Sequence, residues 1–220
     1  MRRVKNILTQ KTKLSNDDAA IGIGSLIIFI AMILVAGIVA SVIIQTMNSL
    51  QQQALLTGEQ TIRDISSGVK VTHVSGYNNG SKITQLAVFV RTTAGSNDIN
   101  LSSTYISLSD SAKHVVLNYT TKCFSSTVSN GLFSTLNSSN LTSTTYGIMV
   151  VRDIDSSCTM SSPTINDDDL VVLLINATKC FSGISTRTDV SGSIVPEYGI
   201  NGVISFTTPS VYVDPIVELQ

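Results

Sequence analysis

NDDAAIGIGSLIIFIAMILVAGIVASVII, running from Asn16 to Ile44, decides the fold of this chain. No Lys, Arg, Asp or Glu occurs between Asp18 and Glu59, and from Ala20 to Ile44 the residues are almost all Ile, Val, Leu, Ala, Met, Phe and Gly. A helix over that stretch rises about 37 Å, enough to cross a bilayer. A secretory signal has a shorter apolar core followed by a small-residue cleavage site. Here the pair Ala19-Ala20 precedes the core, so a cut there leaves the apolar helix on the product. The basic cluster Arg2, Arg3, Lys5, Lys11 and Lys13 lies on the cytoplasmic side by the positive-inside tendency, which puts everything after Ile44 outside the cell.

The run does not stop as a simple anchor would. Gln45 to Gln60 continues without Pro, and Leu50, Ala54, Leu55 and Ile62 keep one apolar stripe at helical spacing until Ser66-Ser67-Gly68 ends it. The expectation is one helix from Ala20 to about Ile65, apolar all round at its start and amphipathic later. Such a helix must be surrounded by lipid or by copies of itself. Gly22, Gly24, Ala36, Gly37, Ala40 and Ser41 bear on that choice, because Ala36/Ala40 and Gly37/Ser41 have the small-xxx-small spacing that lets helix backbones approach. The simpler reading is that Gly and Ala are common in membrane helices.

Charged residues make up 13% of the 220, against roughly 25% in ordinary soluble proteins. The formal net charge is −1, which argues against nucleic acid as a partner because neutralising phosphates needs a clustered Lys/Arg surface. Residues 1–19 hold five of the 14 basic and two of the 15 acidic residues; without them nine and thirteen remain, a net charge of −4.

Three blocks resemble the archaeal flagellins, or archaellins. AIGIGSLIIFIAMILVAGIVASVII (Ala20–Ile44) with LQQQA (Leu50–Ala54) is similar to their amino-terminal signature. DLVVLLIN (Asp169–Asn176) and VPEYGINGVISFTTPSVYVDPIVELQ (Val195–Gln220) are similar to their carboxyl-terminal half. The resemblance implies a class III signal peptide, cut by an aspartic preflagellin peptidase between Ala19 and Ala20. It also implies a precursor stored in the cytoplasmic membrane, and a secretion and motor complex that adds it to an extracellular rotating filament of like subunits. Family members usually carry Gly before the cut, where this chain has Asp17-Asp18-Ala19. With Ala20 as the first mature residue the fifth is Gly24, where bacterial type IV pilins have Glu.

Past Gly68 the period shortens to two. Alternating or β-branched runs at Val69–Val74, Ile83–Arg91, Thr104–Ser109, Lys113–Thr120, Tyr146–Val151, Leu170–Asn176, Gly202–Thr207 and Val211–Asp214 are bounded by Gly, Asn, Asp and Ser. The expected class is α+β: a cleaved leader over 1–19, a long hydrophobic helix over 20–67, and an extracellular antiparallel sandwich or barrel over 68–220.

Asn79, Asn100, Asn118, Asn137, Asn140 and Asn176 each head an Asn-x-Ser/Thr triplet; glycans on about half of them would keep a charge-poor surface soluble. Asn137 and Asn140, in a Ser/Asn-rich loop, are the favoured sites. Cys123, Cys158 and Cys180 permit one disulfide in the external compartment, and spacing does not select the pair. Cys-x-x-Cys is absent and His73 and His114 read as solvent-facing strand residues, against a zinc site. Asp167, Asp168 and Asp169 have the composition of a calcium ligand set without EF-hand spacing; a polar turn is the simpler reading, as it is for Asp153 and Asp155. No phosphate loop, G-x-S-x-G or dinucleotide fingerprint occurs, so no cofactor or enzyme activity is expected. The reading is a polymerising filament subunit. Its alternatives are a type IV-like adhesion pilin and a membrane-anchored binding or hydrolytic ectodomain.

Overall fold

In the computed structural model the backbone is described for residues 2–220 and side chains from Ala20 onward; the expected leader, including Ala19, lies outside the residues whose side chains are described. The chain divides into two compact units, 1–58 and 59–220.

The first unit is helix. α1 runs Arg2–Ser66, so the helix expected from Ala20 onward is one continuous piece and ends where Ser66-Ser67-Gly68 says it should. Its last bond is Ser67 N donating to Arg63 O at 3.1 Å, and Arg63 places a cation beside the unsatisfied carbonyls of the last turn.

The second unit is built on a sheet. Its strands are β1 (Val69–Asn78), β2 (Ile83–Thr92), β3 (Ile99–Asn100), β4 (Tyr105–Ser109), β5 (His114–Ser125), β6 (Thr145–Arg152), β7 (Thr164–Ile165), β8 (Leu170–Ile175), β9 (Asp189–Val195), β10 (Gly202–Thr207) and β11 (Ile216–Glu218). Nine form one sheet in the order β10-β9-β4-β5-β6-β8-β2-β1-β11, and β3 pairs with β7 apart from it.

Two kinds of strand share this sheet. β10 alternates strictly, with Gly202, Ile204 and Phe206 buried and Val203, Ser205 and Thr207 exposed, as expected where one face meets water. β2, β6 and β8 are buried on both faces. Leu173 and Ile175 join the main core with Leu86, Val88 and Ile148, while Val172 and Leu174 join Ala87, Met149, Phe133, Leu136 and Leu141 in a second core on the opposite side. That is why Leu170–Ile175 reads as an unbroken apolar run. The covering residues come from the long connection between β5 and β6.

The same connection explains a departure from the all-antiparallel expectation: β5 and β6 pair in parallel, and a parallel neighbour needs a crossover rather than a tight turn. A short helix, α2 (Ala177–Phe181), was also not anticipated. Val211–Asp214 is loop rather than strand, between Pro209 and Pro215. β9 (DVSGSIV) escapes the pattern because Ser191, Gly192 and Ser193 have little strand preference.

The sheet rolls until its ends meet. Val69 N donates to Ile200 O at 3.0 Å and Ile200 N to Ser67 O at 2.9 Å, a parallel bridge between the starts of β1 and β10. Gly199 makes this approach with φ +93°; a Cβ there would lie 2.3 Å from Ser67 O. Further along, β1 pairs with β11 instead. Tyr146 ties the interior to the rim, its buried hydroxyl 2.8 and 3.0 Å from the carbonyl oxygens of Leu101 and Thr104.

Candidate assembly helix and the other candidate sites

Every large apolar side chain of α1 from Ile21 to Ile44 is 49–71% exposed. Ala20–Ser66 is one helix long and apolar enough to span a membrane. Among the described residues of that unit none covers this surface, and a patch of this size marks an interaction site.

The small residues are arranged on it, not scattered. Ala31, Ala36 and Ala40 sit among the bulkier Ile28, Met32, Val35, Val39 and Ile43 and form a shallow apolar notch. Ala36 and Ala40 therefore share one face of the helix. Gly37 and Ser41 lie one residue further round the helix, and a Cβ at Gly22, Gly24 or Gly37 would meet nothing within 4 Å. Three hydroxyls on this helix are bonded within it: Ser25 Oγ donates to Gly22 O at 2.9 Å, Thr46 Oγ1 to Val42 O at 2.8 Å and Thr57 Oγ1 to Gln53 O at 2.8 Å. Back-bonded hydroxyls bring no unsatisfied group into an apolar setting.

The acidic candidates regroup. Asp168 is exposed and pairs with Arg91 (3.5 Å) and Arg152 (3.6 Å), and Asp167 is exposed, so Asp167, Asp168 and Asp169 do not converge. Asp169 instead is buried and meets Asp153 and Asp155, with carboxylate oxygens within 4.8 Å of one another. Hydrogen bonds occupy this trio. Asp153 accepts from Ser157 N (3.3 Å) and Cys158 N (3.1 Å), Asp155 from Asn166 Nδ2 (2.6 Å), and Asp169 from Asn166 N (3.0 Å) and Ile154 N (3.4 Å). Donation from Ser157 lowers the Asp155 pKa, whereas burial, with Asp153 and Asp155 nearby, raises that of Asp169. The arrangement staples two loops together.

The cysteines correct an expectation. Cys123, Cys158 and Cys180 are all buried and all free, so the permitted disulfide is not formed. Cys123 lies in the second core and the other two in the main core. Cys123 Sγ donates to Asn137 O at 3.6 Å and Cys180 Sγ to Ser143 O at 3.8 Å.

Of the triplet asparagines, Asn79, Asn118, Asn137 and Asn140 are exposed and Asn100 is half-buried. Asn118 is exposed although it lies within β5. Asn176 is 8% exposed and committed: its Oδ1 accepts from Lys179 N at 3.1 Å to cap α2, and its Nδ2 donates to Ser138 O at 2.9 Å. Both ends of its amide are thus engaged within the fold. His114 is exposed as expected and His73 half-buried. Each ring contacts a serine hydroxyl, Ser107 at 2.7 Å and Ser75 at 2.9 Å, and no carboxylate hydrogen bond orients either ring among the described residues. That is not a nucleophile–base–orienter constellation.

The architecture defines a class: a chain with an uncovered apolar helix, made to pack in lipid or against its own kind, followed by a rolled β unit. Comparison narrows it. The profile of the archaeal-type flagellin family matches residues 19–206, and the chain belongs to that family. It is 38% identical to flagellin B2 of Methanocaldococcus jannaschii over 211 residues, covering 94% of this chain and 97% of that one. It is 42% identical to flagellin B4 of Pyrococcus abyssi over 216 residues, with 91% and 98% covered. The crystal structure of archaeal flagellin FlaB1 from Methanocaldococcus jannaschii superposes with a TM-score of 0.63 at 33% identity, covering 70% of this chain and 97% of that one. A chain of the archaeal flagellum of Methanospirillum hungatei shares the fold, with a TM-score of 0.62 at 15% identity over 87% and 95%.

Proposed function

We propose that this chain is a structural, non-catalytic subunit of an archaeal motility filament, and that α1 is the part that polymerises. The uncovered apolar surface of α1 from Ile21 to Ile44 carries the reading. In the precursor this helix spans the cytoplasmic membrane. A preflagellin peptidase removes residues 1–19 between Ala19 and Ala20, and a secretion and motor complex moves the subunit into an extracellular filament, where the helix exchanges lipid for other copies of itself.

Both surroundings are apolar, so water exclusion contributes little to the transfer. Close helix packing through the notch at Ala36 and Ala40 has to hold the polymer together. Once assembled, exposing on the order of 1,500 Å² of apolar surface to water at about 25 cal/mol per Å² would cost tens of kcal/mol, so subunits do not leave. Heterologous contacts that do not close build a helical fibre.

Mass spectrometry of filaments sheared from cells tests this. The expected result is a subunit beginning at Ala20, recovered as polymer. A product that retains Arg2–Lys13, or one found only as a single copy in the membrane fraction, overturns the reading.

A further inference from the structure

Three asparagines of the β unit are followed by glycine: Asn79-Gly80, Asn130-Gly131 and Asn201-Gly202. With no Cβ on the following residue, its amide nitrogen can swing onto the asparagine carboxamide carbon. Attack forms an N–Cγ bond and breaks Cγ–Nδ2, the amide proton leaving with ammonia. Water then opens the cyclic imide at either carbonyl and gives aspartate or isoaspartate. Any hydrogen bond that holds the glycine N–H or the carboxamide competes with this reaction.

Two of the three steps are held in this way. Gly80 N donates to Asn78 Oδ1 at 2.8 Å, and Asn79 Oδ1 accepts from Ser81 N at 3.3 Å and Lys82 N at 3.2 Å, inside the turn between β1 and β2. Gly202 is buried as the first residue of β10 and stands in register with Ile194 of β9. Ser205 N turns away from β9 to donate to Gln220 Oε1, so the groups of Gly202, three residues earlier, point at β9 and belong to the ladder.

Asn130 differs at both groups. It is exposed, in the connection between β5 and β6. Thr135 Oγ1 accepts from Ser129 N at 3.2 Å and Asn130 N at 3.3 Å and donates to Gly131 O at 2.7 Å. These bonds hold the backbone on either side of the step and leave its reacting groups alone: among the described residues neither the Gly131 N–H nor the Asn130 carboxamide has a partner. Gly131 has φ +84° and open space where a Cβ would stand. Asn130-Gly131-Leu132 is no Asn-x-Ser/Thr triplet, so a glycan does not block the carboxamide.

We infer that Asn130 is a site of self-modification: among the Asn-Gly steps of this fold it is the one that converts to aspartate or isoaspartate without an enzyme. Each event adds one negative charge to a chain whose net charge is −4 without residues 1–19. Isoaspartate also adds a methylene to the backbone just ahead of Leu132, Phe133 and Leu136, which pack in or against the second core. The chemistry is complete within the β unit and does not depend on the filament reading.

The full chain, made in a host that adds no glycans and held in detergent micelles in mildly alkaline buffer, provides the test. Peptide mass spectrometry with fragmentation that separates aspartate from isoaspartate should find both forming at position 130 at least about tenfold faster than at Asn79 or Asn201. In denaturant, where the bonds at Gly80 and Gly202 are lost, the three sites should react at comparable rates. Gly131→Ala should slow the reaction at Asn130 at least about tenfold without touching the other two, because the added Cβ crowds the attacking nitrogen. Equal rates at the three sites of the folded chain, or an Asn130 that stays intact over a time in which the denatured chain reacts, would overturn the inference. An unchanged rate in Gly131→Ala would do so as well, since the nucleophile would then not be that nitrogen.

Discussion

Asn176 shows how a residue can match a modification motif and still be structural. Its amide caps α2 and reaches Ser138 O, so replacing it with Ala removes a cap and one of the two bonds to Ser138 O, leaving that from Leu141 N. The expected loss is about 1–2 kcal/mol of β-unit stability, read as a lower denaturation midpoint. The wild-type chain should carry no glycan at Asn176 by peptide mass spectrometry, whatever the occupancy of Asn137 and Asn140. The thiols make a second case. Burial pushes Cys158 up to about 12, with Asp153 and Asp169 adding to it, and pushes Cys180 up to about 11 against the opposing charge of Lys113. Only the thiolate reacts, so iodoacetamide at pH 8 should leave all three cysteines of the folded chain unmodified and label them in denaturant. A pKa raised on folding favours the native state below the unfolded value and loses that contribution as pH climbs through the native one. Melting temperature should therefore decline from about pH 9 upward.

At the scale of elements, the notch on α1 separates insertion from assembly. Ala36→Leu with Ala40→Leu keeps the helix apolar, so insertion is unchanged, but it fills the space that another helix would enter. Overpacking costs about 1–3 kcal/mol per site. The double variant should accumulate in membranes at the wild-type level while the yield of sheared filaments drops at least about tenfold, read by immunoblot of the two fractions. Gly37→Asp is harsher and blocks polymerisation while leaving the β unit folded; normal filaments from it would remove α1 from the axis of assembly. α1 was legible because its whole signal is local, in an uncharged run with a Ser-Ser-Gly stop. In the sheet, β10 was legible by its alternation and β2, β6 and β8 as apolar, β-branched runs between turn residues, while what covers them was not. β8 and β2 are covered on both sides by residues from a distant connection, and the parallel pairing of β5 with β6 depends on that same connection. The acidic trio failed for a similar reason, since Asp169 is joined by Asp153 and Asp155 from another loop rather than by its neighbours in sequence.

For the whole molecule the forces are divided between the two units, and the division can be measured. No charged residue occurs from Ala19 to Gly58, and the salt bridges described in the β unit both converge on exposed Asp168. Exposed ion pairs contribute about 0–1 kcal/mol each, and at 1 M salt the screening length falls to about 3 Å. If apolar helix packing holds copies together, sheared filaments should pass through 1 M NaCl unchanged in length, because screening removes nothing that matters and high salt does not weaken apolar contact. A non-ionic detergent offers α1 the same lipid-like surroundings as the membrane and should dissociate the filaments into micelle-bound subunits, seen as loss of pelletable protein. The β units released in this way should keep their fold, since the buried core from Val69 to Tyr212 is made within that unit and near-ultraviolet circular dichroism would stay at its filament value. Dissociation by salt with resistance to detergent would place the cohesion in contacts between β units instead.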